Sequence, residues 1–167
     1  MVSGNFTTKI KHSFGVTNIK KGKTMNKEQI KEALLGKPNC RKEETPLCQF
    51  ATFHPDMEMV ELLLKGADIQ KSFNNQPLGW VFQFCEPNWD KMLQLLFKYK
   101  YYGLHLNRRM DFEYLLRLLS SVKTETVLYV LKTMRKHNFE LTYEQSILIR
   151  KEKFERVFDI YREVFDL

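Results

Sequence analysis

HPDMEMVELLL, from His54 to Leu64, and EPNWDKMLQLL, from Glu86 to Leu96, stand 32 residues apart and share one pattern. Pro55 aligns with Pro87, Asp56 with Asn88, Met57 with Trp89, Glu58 with Asp90, Val60 with Met92, and Leu63 and Leu64 with Leu95 and Leu96. Each stretch reads as the start of a helix. Asp or Asn ahead of the first turn accepts hydrogen bonds from free backbone N–H groups, and the acidic residue two positions on complements the positive helix end. Apolar residues at i, i+3 and i+4 then make a stripe that needs a partner to bury it.

The repetition extends to both sides. Upstream, TPLCQFA (Thr45 to Ala51) aligns with QPLGWVF (Gln76 to Phe82) at a spacing of 31, each with Pro at a first helical position followed by apolar residues. Each unit is therefore expected to hold two helices. Downstream, GADI at Gly66, GLHL at Gly103 and NFEL at Asn138 place Gly or Asn where a helix ends in a left-handed residue. A third unit puts Phe112, Leu115, Leu116 and Leu119 on one stripe and Val127, Val130, Leu131 and Met134 on the next. A last helix aligns Phe154, Val157, Phe158, Tyr161 and Phe165.

TPLCQFATFHPDMEMVELLLKGADI resembles an ankyrin repeat, whose pattern is T-P-L-H-x-A, a short turn, a V-x-x-L-L helix and a Gly-Ala-Asp loop. Cys48 stands where that family has His. The second copy keeps Pro77, Leu78, Leu95 and Leu96, with Gly79 for the His and Val81 and Phe82 for small alanines. Later units match in helix spacing. With a capping helix from Asn26 to Leu35, the resemblance spans residues 26–167, its specific part being 45–69. It implies an all-α fold, a short solenoid of stacked helix-turn-helix repeats with capping helices, because paired helices cannot bury their apolar faces alone. It also implies a binding scaffold without catalytic chemistry or cofactor.

In that family the end of each first helix and the loop before it face a concave groove. The resemblance accordingly implies Phe53, Trp80, Phe84 and Trp89 as partner-binding residues, since Trp, Tyr and Arg are enriched at binding hot spots. The alternative is that these rings fill gaps between irregular units. The segment KYKYYGLHLNRR, Lys98 to Arg109, adds Tyr101 and Tyr102 to the candidates. It mixes bases with tyrosines as a nucleic-acid surface does, and it is also an inter-repeat loop, where exposed polar residues belong.

Composition narrows the function classes. The 167 residues carry a net charge of +7, but residues 1–24 hold five lysines and no acid, which leaves 22 basic against 20 acidic residues elsewhere. That division reads as a flexible basic tail over 1–24 and one nearly neutral domain over 25–167. No apolar run approaches a membrane span or a secretory signal, so a cytoplasmic protein is expected. Cys40, Cys48 and Cys85 lack CxxC spacing, and His12, His54, His105 and His137 lack ligand spacing; reduced buried thiols and no metal are expected. No HExxH, Gly-rich phosphate loop or GxSxG motif is present. The expectation is a non-enzymatic module, monomeric when free, that binds another protein, in its sharpest form an immunity protein blocking a toxin domain. A phage or viral host-interaction protein fits the same features, and a nucleic-acid binder using the basic arm and the Lys/Tyr loop is the alternative of another class.

Overall fold

In the computed structural model, residues 45–53 and 55–167 are described. The tail over 1–24, the helix expected at 26–35, Cys40, His12 and His54 lie outside them. Among the described residues there are helices and turns and no strand, so the all-α expectation holds. None of these helices is long and apolar enough to cross a membrane. Contacts divide the chain into two compact units, Met1–Asn74 and Asn75–Leu167. Asn74 and Asn75 both adopt left-handed backbone, φ 56° and 62°, a region that Asn tolerates better than most residues.

The described part of the first unit starts with α1 (Pro46–Cys48), capped by the Thr45 hydroxyl accepting from the Cys48 N–H at 3.3 Å. The chain continues as a π-helical turn over Gln49–Phe53. Helix α2 (Met57–Leu64) begins as the sequence predicts: Asp56 Oδ1 accepts from the N–H groups of Glu58 and Met59, both at 3.2 Å. Its stripe of Met59, Val60, Leu63 and Leu64 is buried, as are Leu47, Phe50 and Ala51. Asp68 caps the short α3 (Ile69–Ser72) in the same manner, and the Thr45 hydroxyl reaches the Ser72 carbonyl.

The second unit contains α4 (Pro77–Phe84), α5 (Trp89–Tyr99), α6 (Arg109–Leu119), α7 (Thr124–Lys136), α8 (Tyr143–Ile149) and α9 (Glu155–Val164), with single 3-10 turns at Tyr101–Leu104 and Glu152–Phe154. The helices pack in two rows. Helix α6 contacts α4 and α8, while α7 contacts α5 and α9. Most of the stripes read from the sequence are buried: Leu115, Leu116 and Leu119 on α6, Val127, Val130 and Leu131 on α7, and Val157 on α9 are almost wholly inaccessible, whereas Phe158 and Phe165 of the last stripe are only partly covered. Removing each such side chain from water stabilises the fold by about 1.5–3 kcal/mol.

Polar side chains link the helices within and between the rows. Asp90, in the first turn of α5, accepts from the Lys123 N–H at 3.0 Å and from the buried Thr126 hydroxyl at 2.6 Å, thereby capping α7. Gln94 donates to the same hydroxyl at 3.2 Å. Arg156 of α9 donates to the carbonyls of Leu119 and Val122 and to the Thr124 hydroxyl, at 3.1, 2.9 and 3.1 Å. Gln145 completes a capping box with Thr142 and donates to the Leu106 carbonyl at 2.8 Å, which ties α8 to the segment leading into α6.

Three local expectations are corrected. The Asn88 side chain makes no cap bond; the turn instead closes through the Asn88 N–H and the Cys85 carbonyl at 2.7 Å. Gly66 has no left-handed φ, because the chain leaves α2 through right-handed backbone at Lys65. After α5 the left-handed residue is His105, φ 50°, two places beyond Gly103, which lies in the 3-10 turn; Asn138 is left-handed as predicted, φ 58°.

Candidate protein-binding face

The candidate surface lies on the row α4, α6, α8. Each of these helices carries an apolar pair at i and i+4, positions that share a face, with at least one member exposed. The pairs are Trp80 and Phe84, Met110 and Tyr114, and Tyr143 and Ile147. Phe84, Met110, Tyr143 and Ile147 are 48, 54, 81 and 49% exposed, whereas in the second row Tyr129 at 38% is the sole exposed large apolar side chain among the helical residues. Four of the exposed large apolar side chains of the second unit thus lie on this row, while the exposed Tyr102 and Leu167 follow α5 and α9.

The α4 portion is an aromatic cluster. The rings of Trp80 and Phe84 are 4.7 Å apart, Phe82 stacks on Trp89 at 5.4 Å, and Tyr114 of α6 meets Phe82 at 5.8 Å. The Trp89 indole N–H donates to the Val81 carbonyl at 2.8 Å, which fixes the ring against the end of α4. Gly79 permits the close approach of α6: a Cβ there would stand 2.9 Å from Tyr114 Cε2. The Tyr114 hydroxyl accepts from Gln83 Nε2 at 3.2 Å, so both its ring and its hydroxyl are engaged by α4.

Between α6 and α8 the face opens into a groove of about 730 Å³, lined by residues including Glu113, Tyr143 and Ile147.

Tyr101 and Tyr102 belong elsewhere. They follow α5, whose 11 residues carry the chain about 16 Å away from Trp89. There the Tyr101 ring stacks on His137 at 4.2 Å, and the Tyr102 hydroxyl lies 2.9 Å from His137 Nδ1. Burial, and secondarily the neighbouring Tyr102, raises the Tyr101 phenol above its ordinary pKa. One face of Tyr101 is thus already covered by an imidazole, which reduces its use as a stacking platform for a base. Phe53 is exposed in the first unit. The six predicted residues therefore comprise Trp80, Phe84 and Trp89 in one cluster, Tyr101 and Tyr102 in a second, and Phe53 in the other unit.

Sequence reasoning did not single out Met110, Tyr114, Tyr143 or Ile147. Their signal was the second stripe on each helix, at the same i, i+4 spacing as the buried one. Cys48 and Cys85 are buried. No group of three or more His, Cys, Asp or Glu side chains among the described residues is placed to hold a metal ion. Asp111, in the first turn of α6, is 3% exposed and its Oδ1 has no hydrogen-bond partner. Burial raises its carboxyl pKa against the smaller opposing pull of Arg108 and His105. No family model, curated protein or solved structure matches the chain.

Proposed function

We propose that the protein is an interaction module whose α4–α6–α8 face binds another protein, and that its helix pairs form a short ankyrin-like solenoid. The observation that carries the binding reading is the unequal exposure of large apolar side chains on the helices of the two rows: Phe84, Met110, Tyr143 and Ile147 on one, Tyr129 on the other. Exposed large apolar side chains grouped on neighbouring helices support an interaction surface there. The solenoid reading is supported by the polar links. Gln83 to Tyr114, Gln94 to Thr126, Asp90 to Lys123 and Arg156 to Thr124 join residues 31, 32, 33 and 32 apart, as expected when each helix touches its counterpart one unit on.

The most specific form of this proposal is a cytoplasmic immunity protein that covers a toxin domain. Co-expression with the product of the adjacent reading frame tests it. A complex is expected on size-exclusion chromatography that survives a rise from about 0.05 to about 0.5 M salt, since a packed apolar interface is only weakly screened. Trp80→Ala and Phe84→Ala should each weaken it by more than about 1 kcal/mol, the loss typical of an interface anchor. Dissociation by salt with indifference to both substitutions would reject the apolar face as the binding surface. Binding of a single-stranded oligonucleotide that falls steeply with salt would favour a nucleic-acid binder instead.

A further inference from the structure

The groove between α6 and α8 differs from the aromatic cluster in its charge. Phe112 and Leu148 supply apolar lining, and the exposed Tyr143 and Ile147 stand beside them. Three cations share the lining: Arg109, Lys151 and Lys153. Among the described residues none of the three has a carboxylate within ion-pair distance. Of the two acids present, Glu113 is engaged by Arg117 at 2.9 Å, which leaves Glu144 facing three cations. A groove of mixed polar and apolar lining, in which cations outnumber carboxylates, favours an occupant with both characters. A neutral apolar segment would desolvate the cations without compensation, while a bare anion would leave the pocket wetted.

We propose that this groove receives a segment of the partner protein that presents an aromatic or leucine side chain flanked by carboxylates. The proposal rests on the reading of the α4–α6–α8 face as a protein-binding surface, and adds the chemistry of what binds. The apolar side chain fills the space beside Phe112, Leu148 and Ile147, and the flanking Asp or Glu residues meet Arg109, Lys151 and Lys153. Charge complementarity of this type raises the association rate and fixes the direction in which the segment lies.

Random peptides displayed on phage are selected against the full chain, and recovered peptides are measured by fluorescence anisotropy. The proteins compared are the parent, Ile147→Asp, the double variant Lys151→Glu with Lys153→Glu, and the double variant Trp80→Ala with Phe84→Ala. Recovered sequences are expected to place Phe, Trp, Tyr or Leu among acids, and to lose about tenfold or more in affinity with either α6–α8 groove variant. Replacing the peptide acids by Lys should restore binding to the Lys151→Glu, Lys153→Glu protein, a rescue that misfolding cannot mimic. Peptides without acidic bias, peptides indifferent to the groove variants, or no recovered peptide at all would overturn the proposal. If the recovered peptides depend on Trp80 and Phe84 alone, the face remains the binding surface and only the groove assignment fails. Dependence on neither set removes both. Binding of a single-stranded oligonucleotide that is abolished by Lys151→Glu with Lys153→Glu would assign the cations to phosphate and likewise overturn it.

Discussion

Gly79→Ala tests how tightly α6 is seated on α4. In a helix interior the exchange is favourable by about 1 kcal/mol, because alanine loses less backbone freedom on folding. Here the new Cβ would lie 2.9 Å from Tyr114 Cε2 and 3.1 Å from Cδ2, well inside ordinary contact. Overpacking of this kind costs about 1–3 kcal/mol. The parent protein should therefore lose about 0–2 kcal/mol, and in the Tyr114→Ala background, where the ring is gone, the same exchange should gain about 1 kcal/mol. The resulting coupling of about 1–3 kcal/mol is read from urea unfolding of the four proteins, followed by far-ultraviolet circular dichroism. Stabilisation of equal size in both backgrounds would refute the reasoning. It would mean that Tyr114 swings aside without cost, giving up its bond from Gln83, and that the aromatic cluster is not a preformed surface.

Two further outcomes follow from the polar links and the buried carboxylate. Asp90→Ala should destabilise the second unit by about 2–4 kcal/mol, combining the loss of a helix cap with weaker support for the buried Thr126 hydroxyl. Adding Thr126→Val should recover part of that loss in urea titrations, whereas an additive second loss would contradict the shared-acceptor geometry. For Asp111 the folded-state pKa is raised, so the native chain binds the proton more tightly than the unfolded one. Stability then falls as pH rises from the unfolded to the folded value and stays low above it. Asp111→Asn should accordingly raise the melting temperature at neutral pH, with the gain closing as the pH approaches about 4. A melting temperature below the parent's at neutral pH would show that the charged form is stabilised in place.

Much of the helical framework was legible because it depends on local chemistry. Asp56 caps α2 through its own side chain, Pro77 opens α4 at its first position, and the stripes of Leu63, Leu116 and Leu131 point inward as their spacing requires. Where a residue serves a different helix, the same local rules misread it. Asp90 stands where Glu58 stands in the first copy and reads as an aid to its own helix, yet its Oδ1 caps α7, 33 residues on. Helix α8 buries only Gln145 and Ile149 and so offers no stripe; its legible mark was the Thr142-x-x-Gln145 capping box. The outward pairs were hidden for another reason. Met110 with Tyr114 has the same spacing as Phe112 with Leu116, and which pair meets water is decided by where the second row packs.

That ambiguity bears on why the face holds its shape. Apolar stripes specify that helices pack, but a stripe of leucines and valines tolerates small shifts in how one helix seats on the next. Hydrogen bonds do not, because a displacement of an ångström or two leaves a buried polar group without its partner. Asp90 to Lys123 and Thr126, Gln145 to Leu106, and Arg156 to Leu119 and Val122 each connect a helix to the helix or turn beside it in its own or the other row. These bonds therefore fix the seating that the stripes leave loose. Since the outward pairs sit on the same helices, that seating also sets the spacing of Trp80, Tyr114 and Ile147. Disrupting Gln145 with Gln145→Leu should on this argument cost partner or peptide affinity at the groove beyond what lost stability explains. Affinity preserved in a folded Gln145→Leu protein would show that the apolar packing alone suffices to position α8.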